Sequence, residues 1–431
     1  RKAAFGLYFP VVSVSSMYTH LSDPLTLDLN PVRDAIAKIS APGYISAYNP
    51  GFSSLPAAAQ QAAVSQYESN FRAAMGDWEK TLQKQDFWTN SVTVRQPLWV
   101  GGKIIAANKA AAARVEEASE KVRYTRGKLM SELVERYFGY RLLLEVVEVR
   151  REVLDGMNKH LSDAAAMEAS GIISHAERLH AEVAHADADR EYKKAQRDAD
   201  IARTGLQNTL VLPIDTRPAT PLFMVKSIQP LDWFKHQAKE CNPMLRQIEA
   251  NKILAKQAYM KELAGYSPEI FAFGSYDVYG WQKSEYMPEW FVGVGATMTL
   301  FEGGKNYHSA KAAGATMERV ALVEKKAHAD ILTLVEKNYN EMMKNREQVD
   351  SLDASLNFAN EYLRVRAKAF QEGMATSTDL TDAQLNLSQA KIQRLKALYD
   401  YDLSLARLLE VCGISDQFEQ LRNEGTAEVR Q

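Results

Sequence analysis

Three regularly spaced histidines are the most conspicuous candidates for metal chemistry in this sequence. His175, His180 and His185 are spaced five residues apart. Successive side chains would therefore lie about 140° apart around a helix and could not bind one ion together. The sequence contains no nucleophile elbow, phosphate-binding loop or zinc-protease motif. We therefore expect no catalytic residue, no metal site and no cofactor.

Two aspartates near the end of the chain are the other candidates. Asp379 and Asp382 are three residues apart, so they share one face of the helix predicted to begin beside them. Acids in the first turn of a helix interact favourably with the helix dipole, which contributes about 0.3–1 kcal/mol. Taken alone, the pair is explained by helix stability.

The composition excludes several classes of protein. With 431 residues and a formal net charge of −2, the chain lacks the excess of Lys and Arg that a nucleic-acid surface needs. Two cysteines, Cys241 and Cys412, are too few for a disulfide scaffold or a four-cysteine zinc site. No apolar run approaches the roughly 18 residues of a membrane-spanning helix. The chain opens at Arg1-Lys2 without Met, which predicts a processed or trimmed product.

Proline is unevenly distributed along the chain. Of the 14 prolines, none lies between Pro97 and Pro213 and none follows Pro288. Proline costs about 3 kcal/mol in a helix interior, and both proline-free stretches are rich in residues that favour helices. We predict long coiled-coil helices at 103–170, 174–208, 305–371 and 377–409, and a shorter helix at 242–265.

The sequence repeats itself at a lag of 202 residues. The segment 96–103 resembles 298–305, and the same shift pairs Tyr137 with Tyr339 and Gly171 with Gly373. The seven-residue apolar pattern typical of a coiled coil keeps its phase under this shift. A register held over roughly 110 residues without insertion indicates a tandem duplication.

Each half carries two β-like segments before its first long helix, at 7–19 and 88–96 and at 269–279 and 290–300. The last alternates apolar residues on one face with glycine or threonine on the other. Such alternation fits either a soluble antiparallel sheet or the strands of a membrane barrel. Four strands cannot close a barrel, so in a membrane several copies would have to pool their strands, and three copies would supply twelve.

An insert at 22–86 is the main difference between the halves. It begins rich in proline and glycine and becomes rich in alanine and glutamine, which predicts a helix from Ala57 to about Lys84. Long loops of outer-membrane barrels lie on the outer side, so in such a barrel the insert would be extracellular. We divide the chain into a first repeat at 1–213, a linker at 214–241, a second repeat at 242–413 and a C-terminal tail at 414–431.

This architecture resembles the TolC-like outer-membrane efflux protein family. The resemblance rests on the strand followed by the segment 98–102 and on the copy of that segment at 300–304, on the helix–turn–helix elements at Gly171 and at 370–383, and on the closing helix at 397–413. It covers nearly the whole chain except the insert. One departure is that the helix at 242–265 has no first-half counterpart, which would begin before Arg1.

The resemblance implies a mainly α-helical fold with a membrane β-barrel. Three identical chains would form one twelve-stranded barrel in the outer membrane, continued by an α-helical tunnel through the periplasm. Proteins of this family are passive exit ducts that dock onto a periplasmic adaptor and an inner-membrane transporter. They export drugs, other small molecules or proteins, with outer-membrane lipid around the barrel and no nucleic-acid partner.

The resemblance also assigns a periplasmic gate. Asp379 and Asp382 match carboxylates that narrow the tunnel, where three copies would place six of them around one axis. Glu177 and Phe370 match a pair that latches the closed tip. Phe370 lacks the hydroxyl group of the tyrosine often found there, and the basic partner of the motif falls on Ala375. The same latch is therefore not expected.

Glycines mark two further places. Gly171 and Gly373 would lie at the helical tips that contact the adaptor. The pairs Gly101-Gly102 and Gly303-Gly304 would form the elbow between barrel and tunnel, where glycine tolerates unusual backbone angles. The residues alone leave open a soluble or surface coiled-coil scaffold or adaptor protein with a small β-domain, and an enzyme is a more distant alternative.

Overall fold

The computed structural model describes residues 1–211, 213, 217–279, 284, 286 and 288–429. The chain divides into two compact units. The first, which we call the sheet unit, comprises Arg1–Asn108 and Met260–Ala310. The second, the helical unit, comprises Lys109–Tyr259 and Lys311–Gln431. Each unit is therefore assembled from two separate stretches of chain.

Helices and strands are numbered here in chain order. The strands are β1 (Val11–His20), β2 (Leu25–Asp28), β3 (Glu79–Gln83), β4 (Asp86–Val100), β5 (Glu269–Tyr279) and β6 (Trp290–Thr297). The helices are α1 (Lys2–Phe5), α2 (Asn30–Tyr48), α3 (Ala57–Met75), α4 (Lys103–Ala169), α5 (His175–Leu210), α6 (Leu231–Cys241), α7 (Pro243–Leu263), α8 (Lys305–Gln371), α9 (Ser377–Cys412) and α10 (Phe418–Val429).

The main sheet is antiparallel and has the strand order β1-β4-β5-β6. Strands β1 and β6 lie at its edges, so each has a hydrogen-bonded neighbour on one side within this sheet. The register pairs Val14 with Val92 and Gly274 with Val292, and these positions share one face. Val14 is 76% exposed and Val292 is 75% exposed in the single chain. An apolar sheet face is therefore left uncovered.

Three of the four predicted strands differ in their bounds from the sequence predictions. The first strand begins at Val11 rather than at residue 7, because Gly6–Tyr8 form a 3-10 turn and Pro10 has no N–H for the ladder. The second runs over Asp86–Val100, and its pairing with β5 shifts register between Pro97 and Trp99. The last strand ends at Thr297 instead of residue 300.

The insert folds into a small sheet and a helical hairpin. Strands β2 and β3 pair with each other, while α2 and α3 lie between them in sequence. The predicted helix from Ala57 to Lys84 was wrong in its end, since α3 stops at Met75 and Gly76 turns the chain with a φ of 67°. The proline-rich part was not predicted to be helical, but it forms α2, with Pro31 in the first turn where a helix tolerates it.

The long helices of the two halves have the same lengths and corresponding bounds. Helices α4 and α8 each have 67 residues, and α5 and α9 each have 36. All their bounds are related by the lag of 202 that the sequence shows. Helices α5 and α9 extend two or three residues beyond the predicted ends at 208 and 409. Local start and stop signals, which were duplicated with the sequence, set these bounds.

Two further helices lie where the sequence predicted a linker and a tail. Helix α6 occupies part of 214–241, of which residues 214–216 are outside the described residues, and α10 follows α9. The rings of Phe138, Phe223 and Phe418 pack against one another with centroids 5.8–6.2 Å apart. These aromatic contacts pack the segment around Phe223 and α10 against the long helices. The predicted linker and the predicted tail are therefore both part of the core of the helical unit.

In the part of the chain that the structure describes, no helix is both long enough and apolar enough to cross a lipid bilayer.

Candidate functional site at the helical turns

The turns that follow α4 and α8 lie side by side. Gly171 and Gly373 end the two helices with φ angles of 73° and 71°. The backbone N–H of Ile172 donates to the Met167 carbonyl at 2.9 Å, and the second turn repeats this Schellman pattern. A Cβ atom on Gly373 would lie 3.7 Å from Cγ2 of Ile172. The two turns are therefore neighbours at one end of the helical unit.

Asp379 is held in the N-terminal cap of α9. Its backbone N–H donates to Thr376 Oγ1 at 3.2 Å, and its Oδ2 accepts from the backbone N–H of Thr376 at 3.0 Å. This reciprocal pair is a capping box. The hydrogen bonds from Thr376 hold the pKa of the Asp379 carboxyl below its ordinary value, and Arg366 adds to this effect from 3.9 Å. Asp382 lies three residues further along α9 and is exposed.

Glu177 connects the α4–α5 pair of helices to the α8–α9 pair. Its Oε2 accepts a hydrogen bond of 2.8 Å from the backbone N–H of Ser377, so the first turn of α5 is joined to the first turn of α9. First-turn N–H groups have no partner within their own helix, and a carboxylate is a favourable acceptor for them. Glu177 therefore reaches across the turns, but its partner is a backbone amide rather than a side chain at Phe370 or Ala375.

Phe370 packs directly behind this contact. Its ring is buried and meets the imidazole of His160 edge-on, with the ring centroids 4.7 Å apart. Ala164 and Ala181 belong to the same buried cluster. Because phenylalanine has no hydroxyl group, its contribution at this position is packing.

His160 is the residue at this site that the sequence analysis missed. It is 3% exposed, and its Nε2 lies 2.6 Å from Ser377 Oγ in a hydrogen bond. Its Nδ1 is buried and has no hydrogen-bond partner among the described residues. Burial lowers the pKa of the imidazole, while the nearby carboxylates of Asp163 and Glu177 oppose that shift. Ser377 thus joins α9 to both α4 and α5.

One signal in the sequence pointed to His160. Residues 153, 157, 160 and 164 follow alternating spacings of four and three, and the other three are apolar and buried. A histidine in such a stripe needs a partner across the helix interface. The partner, Ser377, is 217 residues away in the chain, so the sequence did not identify it.

The Gly-Gly pairs lie in the sheet unit, at the starts of α4 and α8. All four have positive φ angles: 61° at Gly101, 87° at Gly102, 58° at Gly303 and 79° at Gly304. A Cβ atom on Gly101 would be 2.6 Å from the Cβ atom of Ser267, whereas one on Gly102 would meet nothing within 4 Å. Glycine is thus required at Gly101 for space as well as for backbone conformation.

His175, which follows the first turn, is paired with a carboxylate. His175 Nδ1 is 2.7 Å from a carboxylate oxygen of Glu168, which also pairs with Arg178. Within the described ranges, no group of three or more His, Cys, Asp and Glu side chains is placed to hold a metal ion.

Comparison with known proteins identifies the class of the molecule. A family model described as outer membrane efflux protein matches residues 59–210 and 235–413, well over half of the chain. The chain belongs to this family. Outer membrane efflux proteins are channels rather than enzymes, and they are located in the outer membrane with a tunnel in the periplasm. The family assignment therefore favours the channel over the scaffold alternative.

Individual relatives agree with the family assignment. The chain is 21% identical over 379 residues to the alkaline protease secretion protein AprF of Pseudomonas aeruginosa, covering 81% of this chain and 76% of AprF. Its fold is similar to a membrane protein from Pseudomonas aeruginosa, with a TM-score of 0.71, 14% identity and coverage of 95% and 83% of the two chains. The fold is also similar to that of the outer membrane protein VceC from Vibrio cholerae, with a TM-score of 0.70 and 13% identity. That match covers 96% of this chain and 89% of VceC.

A third solved structure matches this outer membrane efflux protein over its full length. The CmeC outer membrane channel of Campylobacter jejuni has a TM-score of 0.70 and 12% identity, and the match covers 100% of this chain and 84% of CmeC. These likenesses show that the chain has the TolC fold.

Proposed function

We propose that three copies of this chain assemble into one channel whose sheets close a twelve-stranded barrel in the outer membrane. The observation that carries the proposal is the pair of edge strands, because β1 and β6 each keep one side of their backbone unpaired within the sheet. Open edges are not tolerated in lipid. Pairing β6 of one copy with β1 of the next satisfies every edge when the ring closes.

The two faces of the sheet support this arrangement. Val12, Val14 and Tyr18 of β1 lie opposite Val94, Val92 and Trp88 of β4, which makes one face apolar with aromatic residues near its end. On the other face, Ser15 Oγ and Ser91 Oγ are hydrogen-bonded at 2.9 Å. The apolar face would contact lipid and the polar face would line the lumen.

The helical unit would form the periplasmic tunnel, with its gate at the paired turns. Three copies would place the carboxylates of Asp379 and Asp382 around the axis as a cation-selective constriction. Glu177, Phe370, His160 and Ser377 would hold the two helix pairs of one copy together at this end. The turns at Gly171 and Gly373 would meet a periplasmic adaptor, which would link the duct to an inner-membrane transporter.

Such a duct would be passive, and we propose two classes of cargo for it. The family description names efflux, which supports drugs or other small molecules as the first class. The similarity to AprF, whose name describes protease secretion, supports a protein as the second class, which would be exported in a type I secretion system. In either case the chain would supply the exit through the outer membrane, and the transporter would supply the energy.

Assembly and conduction test the proposal together. The protein would be extracted in mild detergent, its native mass measured, and the same preparation reconstituted into planar bilayers. We expect the native mass to equal that of three chains. In the bilayer we expect discrete conductance steps and a higher permeability to cations than to anions. A stable monomer that inserts without conductance would reject the channel.

A further inference from the structure

The two cysteines of this chain come from distant parts of the sequence but meet in the helical unit. The sequence contains only Cys241 and Cys412. Cys241 is the last residue of α6, and Cys412 is the last residue of α9. Both are free thiols in the structure. Helices α6 and α9 pack against each other, so the ends that carry the cysteines lie together.

The Cys412 thiol is directed into the contact between these helices, while the Cys241 thiol lies 3.7 Å from Oε1 of Gln237 on its own helix. Cys412 is fully buried, and its thiol donates a hydrogen bond of 3.4 Å to the Phe234 carbonyl oxygen of α6. Phe234 and Cys241 are seven residues apart, which is two helical turns, so they share the same face of α6. The face of α6 that receives the Cys412 thiol is therefore the face from which Cys241 projects.

The backbones that follow the two cysteines are also in contact. A side chain at Gly413 would collide with the carbonyl group of Cys241. The side-chain amide of Asn242 donates to the Val411 carbonyl oxygen at 2.6 Å. Burial, with a smaller contribution from the neighbouring Cys241, raises the pKa of the Cys412 thiol to about 12. The residues on either side of each cysteine thus hold the two thiols near each other.

We propose that Cys241 and Cys412 form an intrachain disulfide once the chain has been exported. The helical unit of an outer membrane efflux protein lies in the periplasm, where disulfides form and persist. In the reaction, the two thiols lose two protons and two electrons and one S–S bond forms. The electron acceptor is the disulfide of a periplasmic thiol oxidant, which is reduced to a dithiol.

The different exposure of the two cysteines sets the order of events. Cys241 is only partly buried and would attack the oxidant first, giving a mixed disulfide. The Cys412 thiolate would then displace the oxidant. Because the folded core disfavours that thiolate, the second step belongs to folding, before α9 and α6 have closed around Cys412.

The proposed bond would tie the end of α6 to the end of α9. It would enclose the second half of the chain between them, including β5, β6 and α8. A cross-link that closes a long loop restricts the unfolded chain strongly and so favours the folded state. This inference depends on the periplasmic location and not on trimer formation or conduction.

Mass spectrometry of the wild-type protein tests the bond directly. The protein would be purified from outer membranes without reductant, denatured in the presence of an alkylating reagent and measured intact. We expect no alkylation before reduction, two alkylated thiols after reduction, and a cross-linked peptide pair containing Cys241 and Cys412. Two alkylated thiols without reduction, or a cross-link between two chains, would overturn the proposal.

Variants give a second readout that separates a bond from two independent packing positions. C241S, C412A and the double variant C241S/C412A would be compared with oxidised wild type by thermal unfolding. If one bond is lost, the double variant should have the lower of the two single-variant midpoints, and reductant should lower only the wild-type midpoint. The bond would be contradicted if the decrease in midpoint of the double variant equalled the sum of the decreases of the two single variants and reductant left the wild-type midpoint unchanged.

Discussion

The Nε2 atom of His160 lies 2.6 Å from Ser377 Oγ, in a buried hydrogen bond that joins α4 of the first half to α9 of the second. The backbone N–H of Ser377 also donates to Glu177 at 2.8 Å. One serine therefore links three helices at the end of the helical unit where we place the gate. Phe370 has no hydroxyl group and Ala375 carries no charge, so neither can supply the latch contacts that the family resemblance implies, and we propose that the contacts of Ser377 hold this end together.

His160 should make this end of the molecule sensitive to pH. Its pKa is lowered by burial, so below the ordinary value of about 6.5 the unfolded chain binds a proton that the folded chain resists. Stability is therefore present above that pH and is lost as pH falls, by at most about 1.4 kcal/mol per pH unit. Thermal unfolding between pH 7.5 and 5 should show a steeper loss for wild type than for H160Q.

The exposed His180 provides the matched control for this prediction. H180Q should keep the wild-type dependence of the unfolding midpoint on pH. Equal slopes for wild type and H160Q would show that the titration of His160 does not contribute to the pH dependence.

The two gate carboxylates should separate by their effects on stability. D379A removes a capping box and should lower stability by about 0.5–2 kcal/mol. D382A removes an exposed carboxylate and should leave the unfolding midpoint nearly unchanged. The double variant should show a larger single-channel conductance and no block by divalent cations in planar bilayers. Unaltered conductance and block would reject the constriction.

Asp402 should destabilise the helical unit at neutral pH. It is fully buried, its Oδ2 accepts a 3.4 Å bond from Phe223 N, and its Oδ1 has no partner among the described residues. Burial raises the pKa of this carboxyl well above its ordinary value. The unfolded chain releases the proton above roughly pH 4 while the folded chain retains it, which costs about 1.4 kcal/mol per pH unit until the folded pKa is reached.

D402N removes this proton linkage and tests it. The variant should unfold at a higher temperature than wild type at pH 7.5, and the difference should shrink as the pH approaches 4. D155N, at an exposed position of α4, is the control and should show no such trend. A D402N midpoint below wild type at pH 7.5 would be evidence against the predicted cost of the buried carboxyl.

Adjacent residues of β1 test which face of the sheet meets lipid. Val14 lies on the apolar face and Ser13 on the polar face of the same strand. An arginine on a lipid-facing strand costs about 2–4 kcal/mol near the bilayer midplane. V14R should therefore reduce the yield of membrane-inserted trimer, measured by native mass after detergent extraction. S13R should insert normally and shift ion selectivity toward anions. If S13R instead blocks insertion and V14R does not, the face that carries Ser13 is the one that meets lipid.

The two glycines before α4 offer a similar comparison. Both Gly101 and Gly102 have positive φ angles, so alanine at either costs about 1–2 kcal/mol in backbone strain. At Gly101 the new Cβ would in addition collide with Ser267 and lie 2.8 Å from the Ala264 carbonyl oxygen. At Gly102 it would meet no atom within 4 Å. G101A should lower the unfolding midpoint more than G102A. Equal effects would show that the close approach to Ser267 is relieved without cost.

Much of the fold could be predicted because its signals are local and are repeated. Helix bounds depend on caps and on helix-favouring residues within a few positions, so the lag of 202 between the halves reappears in α4 and α8 and in α5 and α9. The alternation of β6 likewise indicated its two faces. The predicted end of the insert helix was wrong because an Ala/Gln-rich composition does not locate a stop, whereas Gly76 sets it.

The contacts that give this chain its own character were decided only by the tertiary structure. The sequence by itself determined the duplication, the long helices, the two strand segments of each half and the family to which they belong. It did not pair His160 with Ser377, bury Asp402 beneath Phe223 or bring Cys241 to Cys412, because each pair depends on the packing of helices from distant parts of the chain. Periodicity shows which residues share a helix face, while the partner of that face is fixed by the packing of the whole chain.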